Sequence, residues 1–236
     1  MRSYTRRQLK QDQFTAAFTE RVHWAVEHRQ KLIWGAVVVA AALAVGLTVW
    51  GYTHYRQSRA NEALARAMQT YNAPIRPAGE QPAQGTQSFA SASERSKAAH
   101  AEFARVADQY SSTRSGRLAR YFSGVTAVEL GDNAAAERDL KKAAETGDSD
   151  LSALAKLALA NLYRNTNRQA DAVKLYKDLI DHPTRTVSKP AAQLELATVF
   201  ASTQPDEARR IYEQIKKENP QGAASQIADS RLQGLK

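Results

Sequence analysis

A helical pattern that returns every 36 or 37 residues constrains the fold of this chain more than any other feature of its sequence. Each copy has a small residue, a large residue four positions later and an apolar residue seven positions later. The small residues are Ala99, Ala136, Ala172 and Ala208, the large ones are Phe103, Leu140, Tyr176 and Tyr212, and the third set is Val106, Ala143, Leu179 and Ile215. Because positions i, i+4 and i+7 share one face of an α-helix, each copy predicts a helix with one buried face.

A further helix precedes each of the last three copies and is separated from it by a turn signal. The turns are "LGDN" at 130–133, "NTNR" at 165–168 and "STQP" at 202–205, and the preceding helical segments are 116–130, 151–165 and 189–202. For the first copy, 95–110, the predicted partner is the helical segment 57–72. Such helix pairs cannot bury their apolar faces alone, so they are expected to stack on one another. The predicted fold class is all-α.

One apolar run stands out near the start of this otherwise polar chain. Leu32 to Tyr52, "LIWGAVVVAAALAVGLTVWGY", holds 21 residues without a charge, whereas the mean hydropathy of the chain is −0.54. About 20 apolar residues suffice for a membrane-spanning helix, and Trp34 and Trp50 lie near its two ends as interfacial aromatics do. A signal peptide has a shorter apolar core and a small-residue cleavage site, which "WGYTHYRQ" lacks. We therefore predict a single transmembrane signal-anchor helix over 32–55.

The charges on the two sides of this run predict its orientation only weakly. Three basic residues lie within 20 residues on each side, but the further residues Arg2, Arg6, Arg7 and Lys10 make the N-terminal tail costly to translocate. We therefore expect residues 1–31 to be a cytoplasmic basic tail. Phe14, Phe18 and Val22 share one helical face there, which predicts an amphipathic helix. This helix either lies on the inner leaflet or docks onto a membrane partner.

The remaining boundaries follow from composition. A helix is predicted over 56–72, and residues 73–93 are rich in Pro, Gly, Ser, Ala and Gln, which predicts a flexible linker or loop. Residues 94–236 then form the repeat domain. Its last segment, "AASQIADSRLQGLK", is predicted to be the polar capping helix that an open-ended array requires.

Several function classes find no support in the sequence. The net charge of +9 is divided among 33 basic and 24 acidic residues that are spread along the chain, which argues against nucleic-acid binding. The chain has no cysteine, and its five histidines do not form a zinc motif. We find neither a phosphate-binding loop nor a nucleophile elbow. We therefore expect no enzyme activity, no cofactor and no metal, and an enzyme remains only the alternative class.

The repeat array is expected to bind protein segments on the face lined by the first helix of each pair. The aromatic, amide and charged side chains predicted to face this surface suit a peptide backbone. They are Tyr121, Val125 and Glu129 from the first full unit, Asn161, Arg164 and Asn165 from the second, and Gln193 and Phe200 from the third. The alternative is that these side chains are ordinary solvated helix positions. The oligomeric state is left open by the sequence.

The helix–turn–helix units resemble the tetratricopeptide repeat. Gly124 and Ala136 in one unit, and Ala160 and Ala172 in the next, occupy the positions where that repeat has small residues between its two crossing helices. The resemblance implies an α-solenoid of about three to four helix pairs and a protein-binding function. The period is two or three residues longer than the usual 34, which implies longer loops between repeats.

The layout as a whole resembles the ancillary SecYEG translocon subunit family. The "LKQDQF" segment near the start, one span, and "AAHAEFARVADQYSSTRSGRLARY" at 98–121 are its most similar features. The resemblance implies a single-pass protein of the bacterial inner membrane with a cytoplasmic N-terminus and a periplasmic repeat domain. Its implied partners are translocon subunits, emerging chains and periplasmic chaperones. The alternative is a structural scaffold of the cell envelope or the cell-division apparatus that holds one fixed partner.

Overall fold

The structure is a computed structural model that describes residues 28–77, 87–218 and 220–235, and within them it contains nine α-helices and no strand. The helices are α1 Arg29–Tyr71, α2 Ala92–Gln109, α3 Arg114–Glu129, α4 Asn133–Ala144, α5 Ser149–Asn165, α6 Gln169–Asp181, α7 Lys189–Phe200, α8 Pro205–Glu218 and α9 Ala223–Gly234. The predicted all-α class is confirmed. The predicted amphipathic helix around Phe14 and Phe18 lies outside the described residues.

The chain divides between Tyr55 and Arg56 into two units. In the first unit, the described residues belong to the start of α1, which is long and apolar enough to cross a membrane. None of its apolar window is buried, and Trp34 and Trp50 are 70% and 67% exposed. Within the described residues, this segment is therefore not covered as a core helix would be.

Side-chain caps define where most helices of the second unit begin. In each case a Ser, Thr or Asp oxygen accepts a hydrogen bond from a backbone N–H three residues later, which satisfies one of the free donors of the first turn. These caps are Ser91, Thr113, Asp132, Asp148 and Ser188. The residues are short polar ones that favour this position, so the sequence itself fixes these helix starts.

Two turns that are 36 residues apart end the helices α3 and α5 in the same way. Gly131 has a φ of 75° and Asn167 has a φ of 61°, which is the left-handed conformation that commonly terminates a helix. Glycine adopts it without strain and asparagine tolerates it better than most residues. These are the "LGDN" and "NTNR" turns expected from the sequence.

The predicted buried faces of the repeated helices are confirmed. All four small residues and all four large residues of the pattern are at most 1% exposed, and the third set is at most 5% exposed. From α2 onward, each helix packs on the next one in sequence, and α3 also contacts α5 as α7 contacts α9. This nearest-neighbour packing is that of an α-solenoid.

The end of α1 completes the first helix pair. Ala67 is fully buried with Ala99 and Phe103 of α2, as the sequence predicted for the 57–72 segment. The Tyr71 hydroxyl donates to Glu129 Oε1 at 2.7 Å, and the Ser96 hydroxyl donates to Glu129 Oε2 at 2.6 Å. The Glu129 carboxylate therefore joins α1, α2 and α3.

The two ends of the 73–93 segment are held together by backbone hydrogen bonds. The Arg76 N–H donates to the Phe89 carbonyl at 2.8 Å, and the Phe89 N–H donates to the Pro74 carbonyl at 3.1 Å. These two hydrogen bonds form an isolated parallel β-bridge between Ile75 and Phe89. The proposed domain boundaries, including the linker, stay predictions.

Candidate functional site

A cleft of about 780 Å³ lies between α6, α7 and α8. We call it the α6–α8 cleft. Its apolar residues are Ile180, Leu196, Phe200 and Ile211, its polar and charged residues are Lys177, Asp181, Lys189, Gln193, Gln204, Glu207 and Gln214, and Pro183 completes it. Ligand sites in proteins occupy about 300–1,000 Å³ and combine an apolar lining with a few polar groups. The α6–α8 cleft has both properties.

Helical periodicity explains why α7 presents a mixed stripe to this cleft. Lys189, Gln193, Leu196 and Phe200 follow one another at spacings of four, three and four residues, so they lie on one side of the helix. The Ser188 cap and Pro190 in the first turn fix where that helix starts. The position of Gln193 is therefore set by regular secondary structure, which places a side chain more firmly than a loop does.

The charged rim contains cations and anions in equal number. Lys189 Nζ lies 3.0 Å from Glu218 Oε2, and Arg210 Nη1 lies 3.3 Å from Glu207 Oε2. Hydrogen bonds from Gln214 and Lys189 lower the pKa of the Glu218 carboxyl. Within the part of the chain that the structure describes, Lys177 and Asp181 have no ion-pair partner. They offer the cleft one free charge of each sign.

The carboxamide of Gln193 is the most unusual group in the cleft. The residue is 3% exposed, and its Oε1 atom has no hydrogen-bond partner among the described residues. Transfer of a polar group out of water without a compensating hydrogen bond costs about 1–3 kcal/mol by protein mutational data. Native proteins satisfy most such groups, so an unsatisfied one requires an explanation.

The structure brings two of the eight sequence-predicted site residues together. Gln193 and Phe200 both line the α6–α8 cleft. Their neighbours there come from α6 and α8, which are second helices of their pairs, and not from the first helices α3 and α5. The sequence predicted a surface lined by first helices alone. Gln193 and Phe200 instead lie in a cleft to which second helices also contribute.

Three other predicted site residues make contacts between helices. Glu129 accepts hydrogen bonds from Tyr71 and Ser96, as described above. Arg164 Nη1 donates to Glu195 Oε2 at 2.5 Å, and the Tyr176 hydroxyl donates to Asn161 Oδ1 at 2.7 Å. These contacts link α5 to α7 and to α6, so they have a structural role.

The remaining three predicted residues show different degrees of exposure. Tyr121 is half-buried with its ring edge against the Phe122 ring, at a centroid distance of 5.2 Å, and burial raises the pKa of its phenol. Val125 is half-buried and Asn165 is exposed. A binding role for any of the eight residues stays a prediction.

A family model described as a tetratricopeptide repeat-like domain matches residues 23–236. The chain belongs to the tetratricopeptide repeat-like domain family. Such domains are in general protein-interaction modules and not enzymes. No curated protein and no solved structure matches the chain. The narrower resemblance to ancillary SecYEG translocon subunits therefore stays a prediction.

Sequence reasoning missed the residues that the second helices of this tetratricopeptide repeat-like domain contribute to the cleft. Ile180 follows Ala172 by eight positions and Ile211 follows Ala208 by three, so neither belongs to the repeated i, i+4, i+7 set. Both are apolar residues that the repeat pattern does not require. These two additional apolar residues were a signal in the sequence that α6 and α8 each present a second apolar surface.

A metal site and a binding cleft place different requirements on the described residues. Across residues 28–77, 87–218 and 220–235, no group of three or more His, Asp or Glu side chains could hold a metal ion. The buried carboxylate of Asp139 pairs with Arg138 of the same helix and with Arg120 of α3, so these charges join α3 to α4. What the domain offers is a cleft with an apolar lining and one unpaired amide.

Proposed function

We propose that this chain is a membrane-anchored protein-interaction module that binds polypeptide segments in the α6–α8 cleft. The observation that carries the proposal is the cleft itself, whose apolar residues Leu196, Phe200 and Ile211 lie within a charged and polar rim. The family supports the general function, because its stacked helix pairs serve as protein-binding surfaces. The cleft adds a specific place for that function on this chain.

The membrane anchor in this proposal is the apolar part of α1. Support comes from its length, its hydropathy and its complete lack of burial. Trp34 and Trp50 near the two ends fit the headgroup regions of a bilayer. A tether of this kind raises the local concentration of a weak binding site near the membrane, so the cleft does not need high affinity.

The proposed location is the bacterial inner membrane, with the repeat domain on the periplasmic side beside the SecYEG translocon. Support comes from the sequence resemblance and from the basic tail before the span. In this setting the domain would receive emerging chains and pass them to periplasmic chaperones. The second candidate is an envelope or cell-division scaffold, in which the same cleft holds one fixed partner.

Photo-crosslinking from the cleft distinguishes these two candidates. A photoreactive amino acid at Lys177, which is exposed on the rim, is introduced into the full chain in cell membranes. Crosslinks to many different exported polypeptides and to the translocon support the proposed function. One stoichiometric product supports the scaffold. The matched control is Lys174, which is exposed on the same helix but does not line the cleft.

Membrane insertion and orientation are tested separately with a single cysteine. The chain has none of its own, so Ser149→Cys provides a unique thiol at an exposed position at the start of α5. We expect the protein to stay in the membrane on alkaline extraction and the thiol to react with an impermeant maleimide from the periplasmic side. Labelling only from the cytoplasmic side would contradict the orientation, and extraction into the soluble fraction would contradict the anchor.

A further inference from the structure

We infer that a basic patch at the start of the repeat domain binds the anionic headgroups of the membrane in which the chain is anchored. The patch consists of the arginines in residues 56–66 and 105–120, which are Arg56, Arg59, Arg66, Arg105, Arg114, Arg117 and Arg120. It is a second binding surface besides the α6–α8 cleft. The inference rests on the membrane anchor of the proposed function.

The excess of positive charge after the apolar run is confined to these two segments. Residues 121–236 hold sixteen basic and sixteen acidic side chains, and residues 67–104 hold three of each. Residues 56–66 and 105–120 together hold the seven arginines, with Glu62 and Asp108 as their only acids. Charge of one sign concentrated in this way creates a local potential that attracts a polyanionic surface.

Contacts within the second unit bring the two segments together. Arg56 Nη2 donates to the Gln109 carbonyl at 2.6 Å. Gln57 Nε2 donates to the Ser115 hydroxyl at 3.2 Å, and the Arg114 N–H donates to Gln57 Oε1 at 3.3 Å. The turn between α2 and α3 is therefore fixed beside residues 56 and 57.

Chain connectivity places this turn close to the end of the apolar run. Arg56 follows Tyr52 by four residues, and consecutive Cα atoms are 3.8 Å apart. The two Cα atoms therefore lie within about 15 Å of each other whatever the orientation of the second unit. This tether keeps the local concentration of lipid phosphates at the patch high, so weak individual attractions are sufficient.

Two arginines of the patch form only weak ion pairs within the protein. Arg114 is 78% exposed and lies 3.6 Å from Asp148, and Arg59 lies 3.7 Å from Glu62, with both side chains more than half exposed. Exposed pairs of this kind contribute little to stability. A lipid phosphate, which guanidinium groups bind through charge-assisted hydrogen bonds, can therefore replace these partners.

Two further arginines have no ion-pair partner in the part of the chain that the structure describes. Arg66 of α1 and Arg105 of α2 are exposed and line one cavity of about 260 Å³. Arg120 differs from them, because it is largely buried and pairs with Asp108 and Asp139. The exposed arginines thus provide the binding surface, and Arg120 holds its helices together.

The test uses the full chain in nanodiscs of phosphatidylcholine alone or of an equal mixture with phosphatidylglycerol. Ser112→Cys, at an exposed position of the α2–α3 turn, carries an uncharged fluorophore that spin-labelled headgroups quench on contact. We expect about threefold more quenching in the anionic nanodiscs, and loss of this difference at about 0.5 M salt. Ser202→Cys, at an exposed position of the α7–α8 turn, is the control and should be quenched equally in both. Equal quenching of the Ser112→Cys label in both lipids would overturn the inference.

A charge variant tests the patch itself. It replaces three of the exposed arginines, with the substitutions Arg66→Gln, Arg105→Gln and Arg114→Gln. The matched control removes the same charge from exposed positions of α6 and α8, with the substitutions Lys174→Gln, Arg209→Gln and Lys217→Gln. We expect quenching in anionic nanodiscs to fall to the neutral level for the first variant only, and equal loss in both would contradict the patch. The salt dependence is measured on the native arginines, so it tests the inference even if the first variant does not fold.

Three outcomes separate failure of this inference from failure of the proposed function. If alkaline extraction releases the chain from membranes, the anchor is wrong and the inference with it. If the chain stays in the membrane and the quenching does not depend on lipid charge, the inference alone is wrong. If in addition a photoreactive residue at Ser112 crosslinks to an acidic membrane protein in cells, the patch binds a protein partner instead of lipid.

Discussion

Gly124 of α3 lies in direct contact with Leu140 of α4. A Cβ atom at Gly124 would lie 2.7 Å from Leu140 Cγ, 2.8 Å from its Cδ2 and 3.2 Å from its backbone nitrogen. Real Cβ atoms do not approach other heavy atoms so closely, and Leu140 is fully buried. The absence of a side chain at Gly124 therefore sets how closely the two helices of this pair cross.

We predict that Gly124→Ala destabilises the domain by about 1–3 kcal/mol, because a methyl group forced into a packed core displaces its neighbours. Urea denaturation followed by circular dichroism measures this difference. Gly147→Ala is the matched control, because a Cβ there meets nothing within 4 Å, and its effect should stay within about 0.5 kcal/mol.

Leu140→Ala removes the Cγ and Cδ2 atoms that the new methyl group would meet, so the destabilisation of the double variant with Gly124→Ala should be smaller than the sum of the two single effects. Such non-additivity is expected only for residues in contact. Strictly additive effects of the two substitutions would contradict the close crossing.

A second prediction concerns the buried carboxylate of Asp139, which is 0% exposed. It accepts hydrogen bonds from the Ser123 hydroxyl at 2.7 Å and from Arg138 Nε at 3.1 Å, and Arg120 lies 3.5 Å away. Asp139→Asn should destabilise the domain by about 3 kcal/mol at neutral pH, since it leaves the cations without their buried partner. The exposed Asp206→Asn in the first turn of α8 is the control and should change stability by less than about 1 kcal/mol.

The same carboxylate predicts a pH dependence. Burial alone would raise the pKa of Asp139, but the hydrogen bonds from Arg138 and Ser123 and the charge of Arg120 outweigh it and hold the pKa below the usual 3.8. A pKa that is lower in the folded state gives stability that is present above pH 3.8 and is lost as the pH falls through the folded value. The urea midpoint of the native protein should therefore fall below about pH 4 more steeply than that of Asp139→Asn. Parallel curves would contradict this role.

The ion pair between Arg164 and Glu195 provides a third prediction. Their side chains are 29% and 38% exposed, and the pair links the first helices of two successive repeats. A double-mutant cycle with Arg164→Met and Glu195→Gln should give a coupling of about 0.5–1 kcal/mol in stability, discounted for partial exposure. Zero coupling would mean that the pair is not structural. In that case the binding role predicted for Arg164 from the sequence would gain weight.

The helical repeat architecture could be predicted from the sequence because each repeat buries residues at the same positions. Ala136, Leu140 and Ala143 occupy one helical face, and burial of that face is what the spacing of apolar residues measures. The caps at Asp132 and Asp148 and the turn at Gly131 are local features that depend on single residue types. Such features can be recognised without tertiary information.

The site was less predictable, because it depends on how neighbouring helices cross. Periodicity assigns Gln193 and Phe200 to one side of α7, but it does not say whether α5 or α8 lies opposite. In the sequence alone, Arg164 is a candidate ligand-binding residue. In the structure it is hydrogen-bonded to Glu195, which lies 31 positions later in the chain. Pairings between side chains on different repeats follow from crossing geometry, which residue spacing within one helix does not encode.

The most direct measurement of the central claim is methyl NMR of the isoleucines and valines in the full chain, with and without a peptide that has been selected on that chain from a random peptide library. The chain has six isoleucines, of which Ile180 and Ile211 line the α6–α8 cleft and Ile227 is exposed on α9. We predict that the peptide shifts the methyl resonances of Ile180 and Ile211 and leaves that of Ile227 unchanged. Unchanged Ile180 and Ile211 together with a shifted Val125 methyl would place binding on the first-helix surface and would contradict the account.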